Sequence, residues 1–218
     1  SILIFQCVDN LCRLSGIFKY SNSDVIRSGQ RSSDMKPAWQ ERLEKSISKN
    51  KRDAHSRYFQ LATVADDGTP RVRMVVFRGF AGSEETSLLI ITDTRSQKIS
   101  ELKSCPRVEI GWYFTHTREQ YRLRCNSEIF LASEGPQEQR ELAWSRLSEA
   151  ARAQFFWKTP GEAEGSGEAP PLAETPPDTF EVIGLLSFSV DHLILSKQQI
   201  RTKSLIKAGV WSEQRLNP

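Results

Sequence analysis

The chain of 218 residues holds little that could bind a metal: four cysteines and three histidines. Cys7, Cys12, Cys105 and Cys125 lack ligand spacing, and His55, His116 and His192 are scattered, so no metal site is expected. Such sparse cysteines suit reduced thiols in an intracellular protein, cytoplasmic or organellar, better than a disulfide framework. Apolar runs fall short of the ~20 residues that span a bilayer, so no membrane partner is expected. There is no Gly-rich phosphate loop, no suggestive Ser/His/Asp order and no prominent carboxylate pair, which argues against P-loop and hydrolase chemistry. No residue is singled out as catalytic. Reactivity supplied by a cofactor is the alternative.

What is present begins with charge. The net charge is +3, but residues 159–178 carry five acids and no Lys or Arg, which leaves +8 on the remainder. A basic folded part attracts nucleic acid, a membrane surface or a phosphorylated small molecule, and charge alone does not choose among them. The opening stretch, SILIFQCVDNLCRLSGIF, lacks the basic-then-apolar order of a secretory signal. Residues 1–34 are read as a leader outside the fold, and 35–218 as one domain. Within it, Lys158 to Asp178 holds five of the ten prolines and has almost nothing to bury, so 158–178 reads as a mobile, acidic surface loop.

Hydrophobic patterning then supplies the elements. AWQERLEKSISKN places Trp39, Leu43 and Ile47 on one helical face. RYFQLATV, RVRMVVFRGF, SLLIIT, RVEIGWYF and QYRLRCNSEIFLA read as strands, with a turn at Asp67-Gly68 between the first two. The fifth alternates clearly, with Tyr121, Leu123 and Cys125 on one side and Arg122, Arg124 and Asn126 on the other. QEQRELAWSRLSEAARAQFFW reads as a helix, FEVIGLLSFSV and DHLILS as two more strands. Most connections are too short for parallel crossovers, so the fold class is mainly β with helices (α+β), an antiparallel barrel with appended helices.

Ligand-gripping groups cluster at a strand-to-helix junction, TDTRSQKISEL, Thr92 to Leu102. Ser96 fits an N-cap, with Ile99, Leu102 and Ile90 packing inward. Free N–H groups of the first turn, with Arg95 and Lys98, would then form an anion cradle. An ordinary capped surface helix is the competing reading. Arg73 and Arg78 bracket a strand core that should be buried, and guanidinium groups in such places need a carboxylate or phosphate. Their odd spacing puts them on opposite strand faces, so both reach one ligand only if a turn intervenes, and Gly79 permits one. Gln120 carries an amide suited to the edge of a flavin or nucleobase. Trp112, Tyr113 and Phe114 read first as core.

Taken in order, FQLATVADDGTPRVRMVVFRGF, ITDTRSQKISEL, CPRVEIGWYF, REQYRLR and WSEQRLNP resemble the pyridoxamine 5'-phosphate oxidase-like flavoproteins, in particular their Alr4036-type branch. The resemblance runs from about Trp39 to Pro218 without the acidic loop. It implies an antiparallel FMN-binding split β-barrel, FMN as cofactor, and a homodimer. It also implies hydride transfer from a small phosphorylated substrate to the flavin, with dioxygen as acceptor. The cofactor-binding residues it implies are Arg73, Met74, Val75, Val76, Arg78, Ile91, Thr92, Gln97, Lys98, Gln120 and Arg201, with Gln120 reaching FMN from the second subunit. Substrate binding falls to Arg78, Lys197 and Gln199. Here the chain departs from the family, whose Arg-x-His is replaced by Lys197-Gln198-Gln199. A flavin reductase, or a flavoprotein with a different substrate, is the second reading. A non-enzymatic basic barrel binding nucleic acid is the third, but the Arg122/Arg124 face has too few aromatics for it, so no nucleic acid is expected.

Overall fold

The computed structural model describes residues 36–81, 86–130, 137–162 and 173–218. The expected leader, residues 1–34, and residues 163–172 of the expected acidic loop lie outside them.

Helix α1 (Ala38–Lys49) comes first, followed by a short 3-10 helix, Ala54–Arg57. Strands β1 (Tyr58–Val64) and β2 (Pro70–Val76) form a hairpin closed at Asp67-Gly68, where Gly68 takes φ 81° and Asp67 caps the backbone of Thr69. β3 (Gly79–Phe80), β4 (Ser87–Asp93), α2 (Gln97–Ser104), β5 (Arg107–Phe114) and β6 (Glu119–Phe130) follow. Next come α3 (Gln137–Ser145), α4 (Glu149–Ala153) and a 3-10 turn, Gln154–Phe156. The chain ends with β7 (Phe180–Ile194), β8 (Ile200–Lys207) and β9 (Val210–Leu216).

Among the described residues the strands form one antiparallel sheet in the order β2-β1-β5-β6-β7-β4-β3, with β8 and β9 continuing from β7. Alternation builds its interior. Tyr121, Leu123 and Cys125 are buried opposite exposed Arg122, Arg124 and Asn126, as the sequence predicts. Trp39 and Leu43 of α1 join the same core as Leu61, Ile110, Trp112 and Phe114. β4 is buried on both faces: Leu88 and Ile90 point into the barrel, while Leu89 and Ile91 meet Trp144 and Leu147 beneath α3. That double burial explains its uninterrupted apolar run.

Three elements differ from expectation. FEVIGLLSFSV and DHLILS are one strand of 15 residues, β7, rather than two. Opposite Arg124/Cys125 its register slips, leaving Phe188 unpaired. The bulge reverses the inward phase from Ile183 and Leu185 to Val190 and His192, so no single alternation runs through it. The long helix is broken, because Ser148 accepts a bond from Ala151 N and starts a new one. The tail holds a whole hairpin, β8–β9, turning at Ala208 (φ 48°) and Gly209 (φ 78°).

Candidate functional site: a cationic cleft at the split of the barrel

The sheet does not close between β2 and β4. Among the described residues β2 bonds only to β1, so alternate backbone groups along this edge are left for another partner. At Phe77 and Arg78 the chain leaves β2 and crosses towards β4: Phe77 N donates to Arg57 O and Arg78 N to Leu89 O. Gly79 makes this crossing at φ 127°, which a side chain would strain. The change of direction cancels the odd spacing, and Arg73 and Arg78 line the same cleft.

The cleft encloses about 420 Å³ and is lined by Arg73, Met74, Val75, Val76, Arg78, Ile91, Thr92 and Lys98, together with Asp93 and residues from Ala151 to Pro160. Eight of the residues implied by resemblance thus come together. Gln97 is exposed at the start of α2 and does not line the cleft. Lys197 and Gln199 lie exposed between β7 and β8. Gln120 and Arg201 stand elsewhere on the sheet, in the cross-strand row Tyr113–Gln120–Leu193–Arg201. Arg201 donates to Asp191 at 3.0 and 2.8 Å, and Arg122 reaches the same carboxylate at 2.8 Å.

Electrostatics mark one end of the cleft as an anion seat. Lys98 Nζ donates to Thr92 Oγ1 and Ser96 Oγ, both at 2.6 Å. Burial, then the neighbouring Arg73 charge, pulls the Lys98 pKa down, against the opposing pull of Asp93 and Glu101. Ser96 occupies the N-cap position, but its hydroxyl makes no cap bond, so it faces Lys98 instead. Arg73 is aimed by Glu101, which it meets at 2.6 Å, while Thr63 holds the same Glu101 oxygen at 2.5 Å. Arg78 is lowered by burial, and its Nε has no hydrogen-bond partner. Donors exceed acceptors here, which suits a dianionic phosphate.

Arg95 does not join that seat. Its Nε and Nη2 engage both oxygens of Asp93 at 2.9 and 2.6 Å, and its remaining capacity goes to the carbonyls of Trp157 (3.0 Å) and Phe155 (3.4 Å). Nothing local in the sequence signals carbonyl partners some sixty residues away. A smaller recess of about 80 Å³ adjoins the cleft through Arg78 and Ile91, and adds Gln139, Leu142 and Arg146 of the α3 region. Gln139 Oε1 is buried there without a partner. Sequence reading missed Asp93, Gln139, Arg146, Gln154 and Trp157. Asp93 lies inside the Thr92–Leu102 stretch but offers a carboxylate where cations were sought. The other four have as their signal the helical patterning of 137–157, which reads equally well as packing.

The described residues contain no cluster of three or more His, Cys, Asp or Glu that could hold a metal ion. Nor is any described helix long and apolar enough to cross a membrane.

A barrel split open over a phosphate-like seat defines a class of flavin-binding domains, and comparison with known proteins identifies the family. The model of the pyridoxamine 5'-phosphate oxidase FMN-binding domain matches residues 36–130. Pyridoxine/pyridoxamine 5'-phosphate oxidase 2 of Arabidopsis thaliana is 35% identical over 192 residues, spanning 83% of this chain and 96% of the relative. A pyridoxamine 5'-phosphate oxidase-related, FMN binding protein from Nostoc punctiforme superposes with a TM-score of 0.75 at 34% identity, covering 84% of this chain and 98% of that one. PhzG from Burkholderia lata shares the fold, with a TM-score of 0.66 at 15% identity. The chain belongs to the pyridoxamine 5'-phosphate oxidase family of FMN-binding split-barrel proteins. Its cofactor is FMN.

Proposed function

We propose that the protein is an FMN-dependent oxidase of a small phosphorylated substrate of the pyridoxamine (pyridoxine) 5'-phosphate type. The supporting observation is the cationic cleft, whose half-buried, crowded Lys98 and unpartnered Arg78 Nε await negative charge. Lys98, Arg73 and the Thr92 hydroxyl would hold the FMN phosphate. The β2 edge at Met74–Val76 and Ile91 would flank the flavin. Bound FMN supplies two-electron acceptor chemistry, with dioxygen as the final acceptor. The chain contributes position and charge.

Arg78 stands between the cleft and the smaller recess, so its guanidinium can face cofactor and substrate together. Arg146 and Gln139 would complete a site for the substrate's anionic end. Gln120 and Arg201 do not line their own chain's cleft, and Val72, Met74, Tyr113 and Leu186 are exposed apolar residues. Both facts support a homodimer in which Gln120 and Arg201 complete the partner's site, and Lys197 and Gln199 approach its substrate.

The test is hydrogen peroxide release from pyridoxamine 5'-phosphate by FMN-saturated protein. Turnover is expected to be slow, because Lys197 lacks the planar fork of an Arg and Gln199 cannot carry a charge. Lys197→Arg with Gln199→His should raise kcat/KM by about one to two decades, the scale of one charge-assisted contact. Absence of peroxide in both forms, with FMN bound, would favour a flavin reductase or a flavoprotein with another substrate. A monomer mass for the FMN-loaded protein in light scattering would remove the shared site.

A further inference from the structure

We propose that Phe155–Pro160 forms a strap across the FMN cleft, with Trp157 as its shielding aromatic and Arg95 as the positioning residue that latches it. The inference rests on FMN occupying the cleft.

Arg95 lies three residues before Lys98, where a cation could grip phosphate, yet its guanidinium is committed elsewhere. Asp93 fixes its orientation with both carboxylate oxygens, and the outward nitrogens bond the backbone carbonyls of Trp157 and Phe155. The Asp93 hydrogen bonds also raise the Arg95 pKa, so the latch stays charged throughout the accessible pH range. The strap is gripped unevenly. Phe155 is held further by Thr179 Oγ1 on its carbonyl at 3.1 Å and by ring contacts to Trp144 and Phe180, at 5.7 and 4.9 Å. At Trp157, the bond from Arg95 and the 3-10 bond to Gln154 O at 3.3 Å hold the backbone. Trp157 lines the cleft but is 56% exposed, the condition of an aromatic wall that gains burial when a flat ligand lies against it. Arg95 would thus act on the cofactor through Trp157 without touching it.

The test uses full-length protein loaded with FMN, comparing wild type with Trp157→Leu, Trp157→Phe, Arg95→Lys and Lys98→Ala. Readouts are the FMN dissociation rate, iodide quenching of bound FMN emission, tryptic cleavage after Lys158, and competition by inorganic phosphate. Trp157→Leu and Arg95→Lys should each speed FMN release by about an order of magnitude, the scale of one lost contact. Both should raise iodide access and leave phosphate competition unchanged, and Trp157→Phe should recover part of the shielding. FMN should slow cleavage after Lys158 in wild type but less in Arg95→Lys. If release and quenching stay at wild-type values in both Trp157→Leu and Arg95→Lys while Lys98→Ala weakens FMN, the strap is wrong and the seat stands. Phosphate competition weakened in Arg95→Lys as much as in Lys98→Ala would make Arg95 a phosphate ligand and overturn the latch. FMN binding unaffected by Lys98→Ala would sink the seat and the strap together. Should Arg95→Lys fail to fold, half-exposed Trp157 still decides the outcome.

Discussion

Two groups of ionisable side chains, one buried and one half-buried, occupy this barrel, and they are built in opposite ways. At the end of the barrel beneath α1, Glu119 Oε2 accepts from Ser46 Oγ and from His192 Nε2, both at 2.8 Å, with Tyr121 Oη 3.3 Å away. The Tyr121 and His192 rings stack at 4.1 Å, and Asn50 ties α1 to Thr117 and to the His116 backbone. Burial alone would raise the Glu119 carboxyl, but hydrogen bonds from His192, Ser46 and Thr117 outweigh it and hold the pKa at about 2. This group is closed on itself. At the split, by contrast, the Lys98 ammonium meets only hydroxyls, Arg73 crowds it and Arg78 Nε meets nothing. A polar cluster that satisfies its members fixes architecture, whereas one left short of acceptors is prepared for a ligand.

Breaking the closed cluster should have the largest effect. Glu119→Ala leaves buried groups of His192, Ser46 and Tyr121 without their shared acceptor. At about 1–3 kcal/mol for each group left unsatisfied, it should cost about 3–5 kcal/mol of unfolding free energy, read by urea denaturation. FMN affinity of the folded fraction should not change, and an equal loss in affinity would dissolve the distinction between the clusters. The open cluster should answer in reverse. Lys98→Ala should weaken FMN by about 1.5–3 kcal/mol in a titration while leaving the apo protein as stable or more so, since a desolvated charge is removed.

Acid and base then separate the two clusters. The Glu119 pKa falls from 4.5 to about 2 on folding, so its stabilisation is complete above 4.5 and is lost as pH drops towards 2. Melting between those limits should show it, and Glu119→Gln should flatten the dependence. Lys98 is depressed below 10.5 in the free protein, and phosphate favours its charged form. FMN affinity should therefore decline with rising pH before the ordinary lysine range, and Lys98→Arg should remove that slope. The smallest effect belongs to residues 163–172: replacing them with a short Gly/Ser linker should change stability by less than about 1 kcal/mol, because closure entropy varies slowly with length. The replacement stops short of Glu174 and Pro177, whose carbonyls accept from Trp144 at 2.8 Å and Arg140 at 3.0 Å.

The grouping of Thr92, Ser96 and Lys98 was legible because its parts are contiguous: a strand end, hydroxyls, Lys98 and a helix start within Thr92–Leu102. The barrel was legible where alternation is strict, as from Tyr121 to Asn126. Reading failed where a residue's role depends on distant chain. Arg95 looks like a phosphate cation until the carbonyls of Phe155 and Trp157 claim it. Glu101 looks like a surface helix acid until Arg73 and Thr63 converge on it. Phe188 reads as one more apolar residue, yet it is the bulge that reverses β7.

β7 also sets the order in which the molecule can be made. β4 has two neighbours, the two-residue β3 and β7, which starts at Phe180. A growing chain can complete the β1–β2 hairpin and the β5–β6 pair while β4 still lacks its main partner. The wall carrying Ile91 and Thr92 must wait for residues about ninety positions downstream. Long-range pairings of this kind close late. During synthesis the cationic cleft is therefore among the last features to take shape, and any ligand it takes meets a nearly finished protein.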